Sequence, residues 1–178
     1  MMIRDAVPAD ADAVAQLHTS SWLTAYRGIL RNEFLDGPLL ENRRALWRAR
    51  LAGEDRADQI VLVAEQNGRL RGFACVFLDA DAEWGSLLDN LHVLPELKGK
   101  GLGRQLIAAV ADRVEADGLC KRMHLWAYEQ NLGARRFYER LGGAVTLIHA
   151  EPALDGTEVN AVRYCWSELA ALAGGGRN

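Results

Sequence analysis

Cysteine is scarce. Cys75, Cys120 and Cys165 lie far apart, form no Cys-x-x-Cys pair and are odd in number. A disulfide framework is therefore not expected, and reduced thiols among apolar neighbours are. His18, His92, His124 and His149 show none of the short spacings of metal ligands, so no metal is expected. No apolar run approaches the roughly 20 residues that span a bilayer, and Met1-Met2-Ile3-Arg4-Asp5 carries no signal-like apolar region. Nor is there a surplus of base. The 21 Lys and Arg against 24 Asp and Glu leave a net charge of −3, and the pI near 5.8 lacks the basic excess of a general nucleic-acid binder. A cytoplasmic protein that engages neither membrane nor nucleic acid is the expectation.

The 178 residues, 49% apolar and 25% charged, suffice for one domain with a sizeable core. That domain is expected over 1–170, with 171–178 as a flexible glycine-rich tail. One stretch organises it. Asp89-Asn90-Leu91-His92-Val93 reads as the end of a strand, and Pro95 stops it because proline lacks the amide donor of a ladder. Lys98-Gly99-Lys100-Gly101-Leu102-Gly103-Arg104 is a dense glycine loop, behind which Gln105 to Val110 has helical apolar spacing. Glycines let several N–H groups converge, and a helix N-terminus adds partial positive charge. Lys98, Lys100 and Arg104 raise the potential further, so a phosphate-bearing ligand is expected. Two nucleotide motifs fail on register. Lys100 is followed by Gly101 rather than the Ser or Thr of a P-loop. A Gly-x-Gly-x-x-Gly fingerprint begun at Gly99 or Gly101 ends on Arg104 or Leu106.

The other elements follow from periodicity and punctuation. Residues 2–7 alternate as a first strand. Pro8 and Asp10 open a helix to about Tyr26, and Pro38 opens a second, with Leu39, Leu40, Leu46, Trp47 and Leu51 on one side. Its Arg43, Arg44, Arg48 and Arg50 read as a solvated face. Asn67-Gly68 joins strands 59–64 and 70–78 as a hairpin, and 84–93 is the next strand. After the glycine loop come a helix to about Asp117, a strand at 121–128, and a short helix from the cap Asn131 to Leu141. Strands at 144–149 and 159–166 complete the chain.

Lys98-Gly99-Lys100-Gly101-Leu102-Gly103 resembles the Arg/Gln-x-x-Gly-x-Gly/Ala loop of the GCN5-related N-acetyltransferases, with lysine in the first place. Asn131 to Gly142 resembles their second signature, Asn-x-x-Ala-x-x-Phe-Tyr-x-x-x-Gly. Trp22 to Gly28 is similar to the Trp-x-x-x-Tyr-x-Gly segment that many members place over the acceptor pocket. The order β-α-α-β-β-β-α-β-α-β-β is also the family's, so the likeness covers nearly the whole chain.

The resemblance implies a mixed α/β fold: a twisted, mostly antiparallel sheet with a central parallel pair, flanked by helices, and acetyl-CoA in the split between the parallel strands. It implies that a bulged strand offers backbone groups of Leu91, His92 and Val93 to the pantetheine arm. The pyrophosphate is expected beside Lys98, on the N–H groups of Gly99, Lys100, Gly101, Leu102, Gly103 and Arg104, with further contacts from Asn131 and Phe137. Tyr138 matches the position whose phenol protonates the departing thiolate. The implied reaction is direct attack of a primary amine, on a small molecule, amino acid or peptide, upon the thioester. Asp89 and Glu83 are the carboxylate candidates for the amine's proton. His92 has a suitable intrinsic pKa, although a core histidine is the plainer reading. Trp22, Tyr26 and Glu83 are expected around the acceptor, and a homodimer as the assembly. Two other readings fit: a CoA-binding module without catalysis, and a protein acetyltransferase whose arginine-bearing helix docks a partner.

Overall fold

The computed structural model describes residues 1–53 and 58–173. In chain order its elements are β1 (Met2–Asp5), α1 (Ala11–Ala25), α2 (Asn32–Leu35), α3 (Leu39–Ala52), β2 (Gln59–Gln66), β3 (Arg69–Asp81) and β4 (Gly85–Val93). Then follow α4 (Leu102–Asp117), β5 (Met123–Tyr128), α5 (Leu132–Arg140), β6 (Ala144–Pro152), β7 (Glu158–Trp166) and α6 (Ala170–Ala173). The expected order is present, with two four-residue helices added, α2 and α6. Each is a single turn, too short to leave a periodic pattern. Leu172 of α6 is buried at 1% exposure, so the packed chain extends past the expected boundary at 170. The rest of the expected tail, 174–178, lies outside the described residues. No helix among them is long and apolar enough to cross a membrane.

The seven strands form one sheet in the order β1-β2-β3-β4-β5-β7-β6, antiparallel everywhere except between β4 and β5. On one face Ile60, Leu62, Ala74, Val76 and Leu88 meet Leu106, Ile107, Val110 and Val114 of α4. On the other, Val61, Val63, Phe73 and Cys75 meet Val14 and Leu17 of α1 and Trp47 and Leu51 of α3. Covered on both faces, β2 and the middle of β3 are apolar at successive positions, without the alternation of a half-exposed strand.

The arginine-bearing helix departs from the solvated face expected of it. Arg48 does lie outside, paired with Asp12. Arg43 instead stacks over the Trp22 ring at 4.7 Å, and Arg50 lies over both Trp47 and Phe77 at 5.2 Å. Guanidinium groups are weakly hydrated and stack well on aromatic rings, so these two turn inward where α3 crosses the sheet.

Candidate active site

β4 changes character half-way along. It pairs with β5 only at Ser86↔Met123 and Leu87↔His124. Its register with β3 then slips: Val76 faces Leu88, but Cys75 faces Asn90, which leaves Asp89 as the extra residue of a β-bulge. The bulge resets side-chain parity, so Leu88, Leu91 and Val93 all reach the α4 side. Among the described residues no strand lies on the β5 side of β4 beyond the bulge, where β5 continues against β7. The divergence opens a cleft of about 1080 Å³ between β4, β5, the glycine loop, α5 and the end of α1.

The glycine loop forms one end. A 3-10 turn at Pro95–Leu97 leads into it, and the amides of Lys98 and Lys100 turn back to the carbonyls of Pro95 and Leu97, at 3.2 Å each. Gly99 and Gly101 have φ of 77° and 86°, and a Cβ on either would meet nothing within 4 Å. Backbone conformation, not crowding, selects glycine there. Among the described residues the amides of Gly99, Gly101, Leu102, Gly103 and Arg104 donate to no protein acceptor. They stand at the N-terminus of α4, so unsatisfied donors and helix dipole coincide, as a pyrophosphate requires. Lys100, expected to contribute its amide, has already donated it to Leu97. Phe137 closes the loop from above, its ring 3.3 Å from where a Cβ on Gly103 would stand.

The other end is aromatic. Tyr138 of α5 and Tyr26 at the end of α1 both line the cleft. The Tyr138 phenol is held above its ordinary value by burial and by the neighbouring phenols of Tyr26 and Tyr164. It makes no hydrogen bond among the described residues, so its proton is free for a guest. Tyr26 is likewise raised, by burial and by Tyr128, whose ring is 5.3 Å away. His92 lines the cleft with its Nδ1 2.9 Å from Ser21 Oγ and its ring 4.6 Å from that of His18. Burial, with Lys98 and Arg43 nearby, lowers it to about 3, so His92 is neutral at physiological pH. His18 accepts the Trp47 Nε1–H at 3.0 Å on Nδ1 and is also driven down by burial.

This geometry coincides with what comparisons with known proteins find. The model of the acetyltransferase (GNAT) family matches residues 15–143. The chain belongs to the GNAT acetyltransferase family. It is similar to the L-amino acid N-acyltransferase MnaT of Escherichia coli, 32% identical over 150 residues that cover 82% of this chain and 81% of that protein. It is also similar to the N-acetyltransferase YhfO of Bacillus subtilis, 30% identical over 145 residues, 80% and 89% of the two chains. The yncA acetyltransferase from Salmonella typhimurium, solved with its cofactor acetyl-CoA, superposes with a TM-score of 0.67 at 26% identity and coverage of 93% and 92%.

The protein is thus an acyl-CoA-dependent N-acetyltransferase with acetyl-CoA as acyl donor, and the cleft has the parts for it: an unpartnered strand edge and a row of free amides. Leu91, His92, Val93, Lys98, Gly99, Gly101, Gly103, Arg104, Asn131, Phe137, Tyr138 and Asp89 all border it. Asn131 also caps α5 by accepting the Ala134 amide at 3.2 Å. Leu102, the first residue of α4, has its side chain buried in the core, so only its backbone can serve. Other expected residues stand elsewhere. Glu83 is exposed on the turn before β4, at the end of that strand remote from the bulge, and does not border the cleft. Trp22 is buried and does not border the cleft; its ring packs on Tyr26, 5.1 Å away, and on His18, 5.2 Å away. Ser21, His18 and Trp126 escaped the sequence reading. Only the fold of α1 over β4 brings the first two to His92.

Proposed function

We propose that this acetyltransferase transfers the acetyl group to the primary amine of a small molecule, with an amino acid or peptide as the favoured class. Its likeness to an L-amino acid N-acyltransferase over 82% of the chain supports that class. Tyr138 carries the mechanistic reading: a protonated phenol with no hydrogen-bond partner among the described residues, inside the cleft that Tyr26 also lines. The neutral amine forms its C–N bond at the thioester carbon. As the C–S bond breaks, Tyr138 gives its proton to the thiolate, and the amine's proton leaves to solvent or to a cleft residue. Tyr26, Trp126 and Ile29 supply apolar walls at the acceptor end.

Thiol release from acetyl-CoA with amino acids, dipeptides, polyamines and aminoglycosides as acceptors tests the class. Turnover confined to amino acids and peptides is expected, and preferential turnover of polyamines sinks it. A homodimer is the assembly we infer, since β6 is a sheet edge with Val145, Leu147 and Ile148 exposed. Light scattering that gives a monomer mass overturns it.

A further inference from the structure

The bulge decides where β4 leaves β5, and a bulge needs something to hold it. An unbulged β4 would shift every later residue by one position. Leu91 and Val93 would then turn away from α4, and His92 would turn toward it. A group from outside the sheet meets the bulge.

Arg50 Nη1 donates to Asp89 Oδ2 at 2.7 Å and to Asn90 Oδ1 at 3.1 Å, and stands 3.9 Å from Cys75 Sγ. Cys75 is the β3 residue opposite Asn90, on the first rung after the slip. One nitrogen therefore touches all three residues at the discontinuity. In a regular strand Asp89 and Asn90 would point to opposite faces, and no single cation could reach both. Only the bulged register puts them side by side. The cation is itself fixed: its guanidinium lies over Trp47 and Phe77, and Gln59 Nε2 donates to its carbonyl at 3.2 Å. Trp47 is fully buried.

We propose that Arg50 is a positioning residue: it clamps Asp89 and Asn90 from α3 and so holds the β4 edge in the register that receives acetyl-CoA. Asp89 serves in this clamp and is not the proton acceptor its place in the sequence suggested. The pair has side-chain exposures of 22% and 31%, enclosed enough for a charge-assisted bond to matter.

The test is calorimetric titration of acetyl-CoA, with no amine present, into the wild type, Arg50→Gln, Arg50→Lys and Asp89→Ala. Arg50→Gln and Asp89→Ala should each weaken binding about ten-fold, the scale of one charge-assisted hydrogen bond. Arg50→Lys should recover part of it, because an ammonium keeps the charge at Asp89 but lacks the planar group that lies over Trp47 and Phe77. Unchanged affinity in Arg50→Gln overturns the clamp. So does Asp89→Ala that binds acetyl-CoA normally and loses only kcat, the signature of a proton acceptor. Should Arg50→Gln fail to fold, Asp89→Asn replaces it: it keeps an oxygen for Arg50, so its affinity should fall between those of Asp89→Ala and the wild type. Equal affinity in all three overturns the clamp. Binding by the wild type is read separately in the same experiment, so the family's use of acetyl-CoA stands apart from the outcome.

Discussion

The two halves of β4 are the same strand in two environments. From Gly85 to Leu88 it runs between β3 and β5, with Ser86 at 0% and Leu88 at 4% exposure. From Asp89 to Val93 it has β3 on one side and the cleft on the other, and its residues are half-buried or exposed. Composition does not distinguish them, since both halves mix leucine with polar residues. One extra residue does. By resetting parity it keeps leucine and valine under α4 while the opposite backbone edge faces the cleft, so the hydrophobic core and the cleft edge come from one continuous segment.

The sharpest way to break this contrast lies in the first half. Gly85 has φ +74°, and a Cβ there would stand 2.4 Å from the Arg122 carbonyl oxygen, so Gly85→Ala must part β4 from β5 where they are joined. Strain and overpacking together should cost about 3 kcal/mol or more, read as a fall in the denaturant midpoint. An unchanged midpoint means that the parallel rungs do not hold the sheet together.

Acid acts on the second half. Both His92 and His18 have folded pKa values below the unfolded value, so the unfolded chain binds more protons. The stability from keeping them neutral is full above about 6.5 and is lost as pH falls toward about 3 for His92. Each should contribute a slope of up to about 1.4 kcal/mol per pH unit in that window. His18→Gln or His92→Gln should flatten the dependence of unfolding free energy on pH, and a parallel curve would refute the assignment. In the same range kcat/KM should show no histidine limb near 6.5 and should rise with pH as the acceptor amine loses its proton.

Next in size is chemistry without stability. Tyr138→Phe should lower kcat about ten-fold or more and leave both acetyl-CoA affinity and Tm nearly unchanged, because its hydroxyl has no protein partner among the described residues. A wild-type kcat would remove the phenol from the reaction. Smallest is Gly101→Ala. Its φ of 86° costs an L residue about 1–2 kcal/mol, but open space surrounds the new Cβ, so the fold should survive. Calorimetry should nevertheless find weaker acetyl-CoA binding, as the converging amides shift. Gly85→Ala and Gly101→Ala thus ask of two left-handed glycines whether each serves the sheet or the ligand.

Much of this was legible in the chain. Asn67-Gly68 marks the hairpin turn that joins β2 to β3, Pro8 opens the turn that leads into α1, and Asn131 caps α5, each through local backbone preferences. The loop from Lys98 to Arg104 announces its left-handed glycines and open amides for the same reason, since these are properties of a few consecutive residues. The resemblance in that loop and in the Asn131 to Gly142 segment pointed to the family before any coordinate.

Other features had no local signature. The position of the bulge depends on which β3 residue faces Asn90, and the direction of Arg50 depends on α3 packing on the sheet so that it meets Asp89, 39 residues away in the chain. Ser21 meets His92 across 71 residues, and both histidines stay neutral because the assembled core removes water from them. Sequence by itself determined the strands and the longer helices, the glycine loop and the family, because these are written in short-range conformational preference. Tertiary structure alone decided where the sheet opens and what Asp89, Arg50 and His92 face there, because register and desolvation exist only once distant segments have packed.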